Sequence, residues 1–306
     1  QGYNGNLQMW CNRTPYRQPF TETADAVFAN GDAPPAIVVY VDAWTAYGGS
    51  QFVDSPGTGR YHTYLCEDVV SYVDAHYRTL NAPAHRGIMG KSSGGFGAFI
   101  TPMLRPDLFG GLASHAGDSL YEYSYTHEFA DCTRYLRDYD GDIWKWWADF
   151  NSRTPFTKKA DNTLLMTLGC SACFSADDDG TVQLPFDPTT GQLIEERWNR
   201  WLAWDPVRMV PAHADALRSA KAIWIDSART TSGTSTSVPK RCETSWRRSA
   251  SPTSTSNCSR APTWQSTTAT RCHWPTSRPS SPPSASSSAR LRSVPSQRTR
   301  PEPCTR

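Results

Sequence analysis

Apolar positions along the first third of the chain switch between two periods. Residues 35–42 (P-A-I-V-V-Y-V-D) form a continuous β-branched run, which predicts a strand buried on both faces. Leu65, Val69 and Val73, with Tyr72 and His76, recur at helical spacing and predict an amphipathic helix over 61–80. A short run at 85–89 predicts a second strand, 94–104 a second helix and 109–115 a third strand. That order of elements predicts an α/β fold on a doubly wound, mostly parallel sheet.

The turn between the second strand and its helix carries the candidate chemistry. Residues 86–95 read R-G-I-M-G-K-S-S-G-G, a G-x-S-x-G with Ser92 at its centre. A serine hydroxyl is a weak nucleophile. On a sharp strand-to-helix turn its Oγ faces a base, while the backbone N–H of Ser93 is left to bind an oxyanion. Gly90 and Gly94 allow strand and helix to approach where a Cβ would clash. The pentapeptide alone is a moderate signal, and the flanking strand and helix strengthen it.

From Gly2 to Asp226 the chain resembles the esterase family of the α/β-hydrolase fold, the group related to esterase D (S-formylglutathione hydrolase), enterochelin esterase and the antigen 85 mycolyltransferases. The resemblance rests on P-P-A-I-V-V-Y-V-D-A (34–43), Y-G-G-S-Q-F-V-D-S-P (47–56), G-I-M-G-K-S-S-G-G-F-G-A (87–98), L-A-S-H-A-G-D (112–118) and I-W-I-D (223–226). It implies a serine carboxylic-ester hydrolase acting through an acyl-enzyme on Ser92, with Tyr3 supplying a second oxyanion N–H beside Ser93. It places Asp226 at the end of the last recognisable strand, as the acid or as a residue that orders the acid-bearing loop. His115 resembles the family's S-H-x-G-D, which makes it a pocket residue more than a base. Against the family pattern the chain starts after the third strand, so the sheet is expected to lack its first strands, and the start reads as a truncation or a processed end.

Composition breaks at the other end. Residues 228–306 contain 19 Ser, 14 Thr, 12 Arg and 10 Pro, too little apolar surface to offset the entropy of ordering. Charge divides at the same point, with 13 basic and 2 acidic residues after 227 and 18 and 27 before it. The expected organisation is therefore a hydrolase core over 1–227, with a helical, aromatic insert at about 121–201, and a disordered tail over 228–306. The genetic code offers a cause. Read one base out of register, Ser, Thr and Pro codons become Tyr, His, Asn, Asp, aliphatic and Ala codons. The allowed choices then include the family's acid-bearing loop, amphipathic helix and histidine before D-Y-R. A one-base deletion near Ser227 would put the triad acid at the Thr230/Thr231 codon junction and the histidine at the Pro262/Thr263 junction, neither encoded in frame. A triad hydrolase of this class needs Ser, then acid, then His, so turnover is expected to be weak or lost. His273, in R-C-H-W-P, is a poor substitute, as is His115.

The remaining features narrow the picture. Tyr47 and Ser50 lie on a glycine-rich loop expected at the sheet's carboxyl edge, where they could touch substrate, with His115 beside them. The aromatic clusters Y-E-Y-S-Y (121–125), W-K-W-W (144–147) and R-W-N-R-W (197–201) fit either a packed helical insert or a surface for aromatic or polymeric esters, and the packed insert is favoured. S-A-D-D-D-G (175–180) reads as a solvated acidic turn, and Cys170 and Cys173 have no second pair at zinc spacing, so no metal or cofactor is expected. No run reaches the roughly 20 apolar residues of a membrane span, and the chain reads as soluble and cytoplasmic. The expected partner is a small-molecule or polymeric carboxylic ester, with no specific nucleic acid. Two alternatives stand beside hydrolysis: acyl transfer to an alcohol or sugar by the same serine, and a non-catalytic protein whose Arg-rich tail holds polyanions.

Overall fold

Parallel strands need a connection long enough to return along the sheet, and the chain supplies one on each side of residues 111–115. The structure, a computed structural model, describes residues 1–227. Two short antiparallel hairpins come first, β1 (Trp44–Thr45) with β2 (Gly48–Gly49) and β3 (Asp54–Ser55) with β4 (Gly59–Arg60). The sheet follows: β5 (Gly87–Lys91), β6 (Gly111–His115) and β7 (Ala222–Asp226), all parallel in the order β5-β6-β7. The helix Ser93–Leu104 connects β5 to β6, and a long helical segment connects β6 to β7. This is the α/β-hydrolase type of fold.

Period-two alternation sets the two faces of the sheet. Ile88, Leu112, Ile223 and Ile225 join the core around Phe96, Phe99 and Ile100 of the helix Ser93–Leu104. On the opposite face Met89 is 65% exposed. Most of the remaining core lies between β6 and β7, in the helices Thr126–Leu136, Ile143–Ser152, Asp161–Phe174 and Glu195–Leu202. Trp146 and Trp201 are fully buried there, and the rings of Phe129 and Phe186 stack at 4.8 Å.

Asp205 fastens this segment to the end of β6. It is completely buried and its carboxylate accepts the N–H groups of Leu120, Tyr121 and Val207 at 3.0–3.1 Å. Asp205→Asn keeps one oxygen but turns an NH2 toward an N–H donor. Urea denaturation should report a loss of about 1–2 kcal/mol.

Two expectations from the apolar pattern need correction. Residues 35–42 form no strand, and Ile37, Val38 and Val39 are 40–49% exposed, not buried on both faces. A run becomes a strand only through a neighbour's hydrogen-bond ladder. Among the described residues β5 pairs with β6 alone, so no ladder is offered to 35–42. The helix expected over 61–80 is continuous from Tyr61 to His76, with a π-helical stretch at Tyr64–Val69, and ends where Tyr77 turns extended. Leu65 and Cys66 are its deeply buried positions, while Tyr72 is exposed and stacks on His76 at 4.1 Å.

Candidate active site

The bend between β5 and its helix turns on a non-glycine residue with positive φ. Ser92 has φ 57° and ψ −124°, a strained combination for any residue with a Cβ. Its N–H donates to the carbonyl of His115 at 3.0 Å, and its carbonyl accepts from the N–H of Phe96 at 2.8 Å. Ser93 opens the helix, so its N–H is among the amides that the helix itself leaves without a partner. A Cβ on Gly90 would lie 2.1 Å from the carbonyl oxygen of Gly94, and that contact forces glycine at this position.

Residues 1–3 pack against this bend. A Cβ on Gly2 would be 3.9 Å from Cβ of Ser92. The carbonyl of Tyr3 accepts the N–H of Gly49, and its hydroxyl donates to Oδ1 of Asn162 at 2.6 Å. The backbone of Tyr3 thus lies between Ser92 and the hairpin β1–β2.

Register places the other sequence candidates. Lys91, His115 and Asp226 are partners across β5, β6 and β7, the last residues of the three strands. His115 Nδ1 donates to Asp226 Oδ2 at 2.8 Å, and the indole N–H of Trp224 donates to the same oxygen at 2.9 Å. The pair is part-exposed at the carboxyl edge. Ser50 is fully buried, and its hydroxyl accepts the N–H of Phe52, which closes a turn. Tyr47 stands at the hairpin tip with its ring 5.4 Å from that of Trp147 and 6.2 Å from that of Trp144. His273 and the codon junctions at Thr230/Thr231 and Pro262/Thr263 lie outside the described residues. Among the described residues no cluster of three His, Cys, Asp or Glu could hold a metal, and no helix is long and apolar enough to cross a membrane.

Several residues in the loops packed on the helix Ser93–Leu104 carry no sequence signal. Gln51, Phe52, Ala116 and Leu120 all have φ between 45° and 57°, and Phe52 and Gly117 of these loops lie against Gly97 and Gly95 of the helix. Such residues gather where surrounding packing over-determines the backbone. The ring of Phe52 lies over Gly97 of the elbow helix, where a Cβ would meet it at 2.8 Å. Behind these loops runs a buried polar chain: Gln51 Nε2 to Cys170 Sγ at 3.3 Å, Cys170 to the Tyr125 hydroxyl at 3.9 Å, and that hydroxyl to Asp118 at 3.1 Å.

Glu128 is a buried carboxyl that feels the charge of Asp118 and Asp131. It is 2% exposed, and burial, then Asp118 and Asp131, push its carboxyl from the ordinary 4.5 up to about 8. His127 Nε2 is 3.9 Å from its Oε1. Between pH 4.5 and about 8 the folded chain holds a proton that the unfolded chain has released, so this group makes stability fall as pH rises. Glu128→Gln should therefore raise the melting temperature at pH 8.5 and leave it nearly unchanged at pH 4.5. Thermal denaturation at the two pH values checks the sign.

Comparison with known proteins adds three findings. Residues 11–253 match the family described as "Putative esterase". Among solved structures, a ferulic acid esterase is 24% identical over 38% of this chain and 43% of that chain, with a TM-score of 0.32. MPT51 (FbpC1) of Mycobacterium tuberculosis is 13% identical over 81% of this chain and 74% of that one, with a TM-score of 0.36. The chain thus spans less than half the length of the ferulic acid esterase it matches. No curated protein matches it.

Proposed function

The chain belongs to the Putative esterase family, and on that premise we propose that it is a serine carboxylic-ester hydrolase whose acyl group is carried by Ser92. The observation that carries the proposal is the strained φ of 57° at Ser92, on a bend closed by Gly90 and Gly94 and followed at once by a helix N-terminus. Conformational strain of about 1–3 kcal/mol at a serine is retained only where something gains from it. Presenting Oγ above the first helical N–H is such a gain.

In this reading Oγ of Ser92 attacks the ester carbonyl. The N–H groups of Ser93 and Tyr3 take the oxyanion, and the alcohol leaves before water frees the acyl group. Asp226 acts as an orienting residue, holding His115 and Trp224 so that the end of β6, whose carbonyl anchors Ser92, stays in place. The proton-accepting histidine and its acid are assigned to the alternative reading frame beyond Ser227, so the chain as written is slow. Residual rates of about 10³–10⁴ over water are what an oxyanion hole and binding supply without a complete triad.

Hydrolysis of p-nitrophenyl acetate and butyrate by the full chain and by Ser92→Ala tests the assignment. Slow turnover that depends on Ser92 supports it, and rates identical in both proteins overturn it. Sequencing the coding DNA across the Ser227 codon tests the frame: a frame without a missing base in independent clones removes that part of the proposal.

A further inference from the structure

The sheet has two faces, and the connections between its strands cover one of them. β5, β6 and β7 step across the sheet in a single direction, and right-handed crossovers, the rule for parallel strands, then put both connections on the same side. Ile88, Leu112, Ile223 and Ile225 point to that side and join the core, and Ser114 donates its hydroxyl to the carbonyl of Gly95 there. The residues between them point the other way. Met89 is 65% exposed, Ala113 and Trp224 are half-buried, and none of the three belongs to a buried cluster of the described residues. A parallel sheet is ordinarily covered on both faces.

Register orders this second face into rows. Met89, Ala113 and Trp224 are cross-strand partners and make an apolar row across its middle. Toward the amino ends, Gly87, Gly111 and Ala222 make a row without bulk. Toward the carboxyl ends lie Lys91, His115 and Asp226, with a cation on one outer strand and an anion on the other. Lys91 is exposed, and the Asp226 side chain stays 20% exposed beside its bonds from His115 and Trp224. The sequence after Ser227 contains one Leu and no Ile, Phe, Met or Tyr, so it offers no apolar stripe of helical period to lay over the middle row.

We propose that this face is an interface between two copies of the chain, packed sheet on sheet about a two-fold axis that runs along β6. A surface that meets itself must be self-complementary, and charge selects the axis. An axis along β6 keeps the rows at one height and lays β5 over β7 of the second copy. Lys91 of each copy then meets the partner's Asp226, and Met89 meets the partner's Trp224. An axis across the strands would instead set the charged row over the glycine row and leave both charges unpaired. Stacked sheets lie about 10 Å apart, a gap that a lysine and an aspartate side chain span together. The usual twist of about 30° between packed sheets displaces the outer strands by only roughly 2–3 Å, which the flexible lysine stem absorbs. Three five-residue strands make a face of roughly 14 Å by 16 Å, well short of the about 800 Å² per partner of a standard interface, so the dimer is a weak one.

The test is sedimentation equilibrium of the full chain, with reductant present because Cys11 is exposed. In about 0.05 M salt a monomer–dimer equilibrium with a dissociation constant of about 10–100 μM is expected. Lys91→Glu sets like charges together twice and should weaken the dimer about tenfold or more, an effect that shrinks in about 0.5 M salt. Met89→Asp should weaken it as much at either salt, by placing a carboxylate in the apolar row. Lys159→Glu makes the same charge change at an exposed turn outside the sheet and should leave the equilibrium alone. Carbodiimide treatment joins the Lys91 Nζ to the Asp226 carboxyl as an amide while the reagent leaves as its urea, so the linked peptides of the dimer band should contain these two residues. A chain that stays monomeric up to about 500 μM, a dimer that tolerates both Lys91→Glu and Met89→Asp, or cross-links that join only other residues overturns the proposal.

Discussion

Ser92→Ala is expected to leave the folded chain without any covalent adduct after prolonged incubation with a fluorophosphonate, while the unmodified chain carries one, at the peptide that contains Ser92. The contrast should be all or none. The acyl or phosphonyl bond forms at Oγ, and the alanine variant has no oxygen there. Intact-mass and peptide mass spectrometry read it directly. Labelling of both proteins alike, or of another residue in the parent, would remove the nucleophile. A companion variant separates chemistry from strain. With φ at 57°, Ser92→Gly should also lose the adduct yet gain about 1 kcal/mol in urea denaturation, because glycine occupies that region without a Cβ penalty.

The second large effect is expected at Gly90. Its missing Cβ would lie 2.1 Å from the carbonyl oxygen and 2.3 Å from the carbonyl carbon of Gly94. The obstacle is backbone at the first turn of the elbow helix, so no side-chain rotation relieves it. Gly90→Ala must push β5 and the helix Ser93–Leu104 apart, and that helix is buried along nearly its whole length. A loss of at least about 3 kcal/mol is expected, at the top of the range for overpacked sites. Labelling of Ser92 should vanish with it even in the fraction that remains folded. A denaturation midpoint within error of the parent's would mean that the bend is looser than its contacts imply.

Much of the sheet was legible in the chain, and the reasons differ by element. The strands β5 and β6 and the helix Ser93–Leu104 fall within two residues of where the apolar pattern and the glycines put them. There local pattern and tertiary packing agree: G-x-S-x-G demands a close strand-to-helix approach, and the contact of Gly90 with the backbone of Gly94 shows it, while a Cβ on Gly94 itself would meet the backbone of Gln1. The run at 35–42 misled for the opposite reason, because β-branched residues state a preference that only a neighbouring strand can satisfy. Tyr47 and Ser50 looked alike as loop residues. Packing separated them, setting the Tyr47 ring against those of Trp144 and Trp147 and burying Ser50, whose hydroxyl accepts the N–H of Phe52.

The residues around Ser92 divide along the same line. Ser92, Ser93 and the glycines about them are set by the chain itself, because a motif of adjacent residues builds its own geometry. The pairing of His115 with Asp226, 111 positions apart, depends on parallel register across β6 and β7. The left-handed backbone at Gln51, Phe52, Ala116 and Leu120 depends on packing that overrides each residue's own preference. The raised pKa of Glu128 comes from burial near Asp118 and Asp131. Hydrophobic period and glycine spacing are local quantities and can be read along one dimension. Register, burial and electrostatic neighbourhood are sums over residues distant in the chain, and they take values only once the chain has folded.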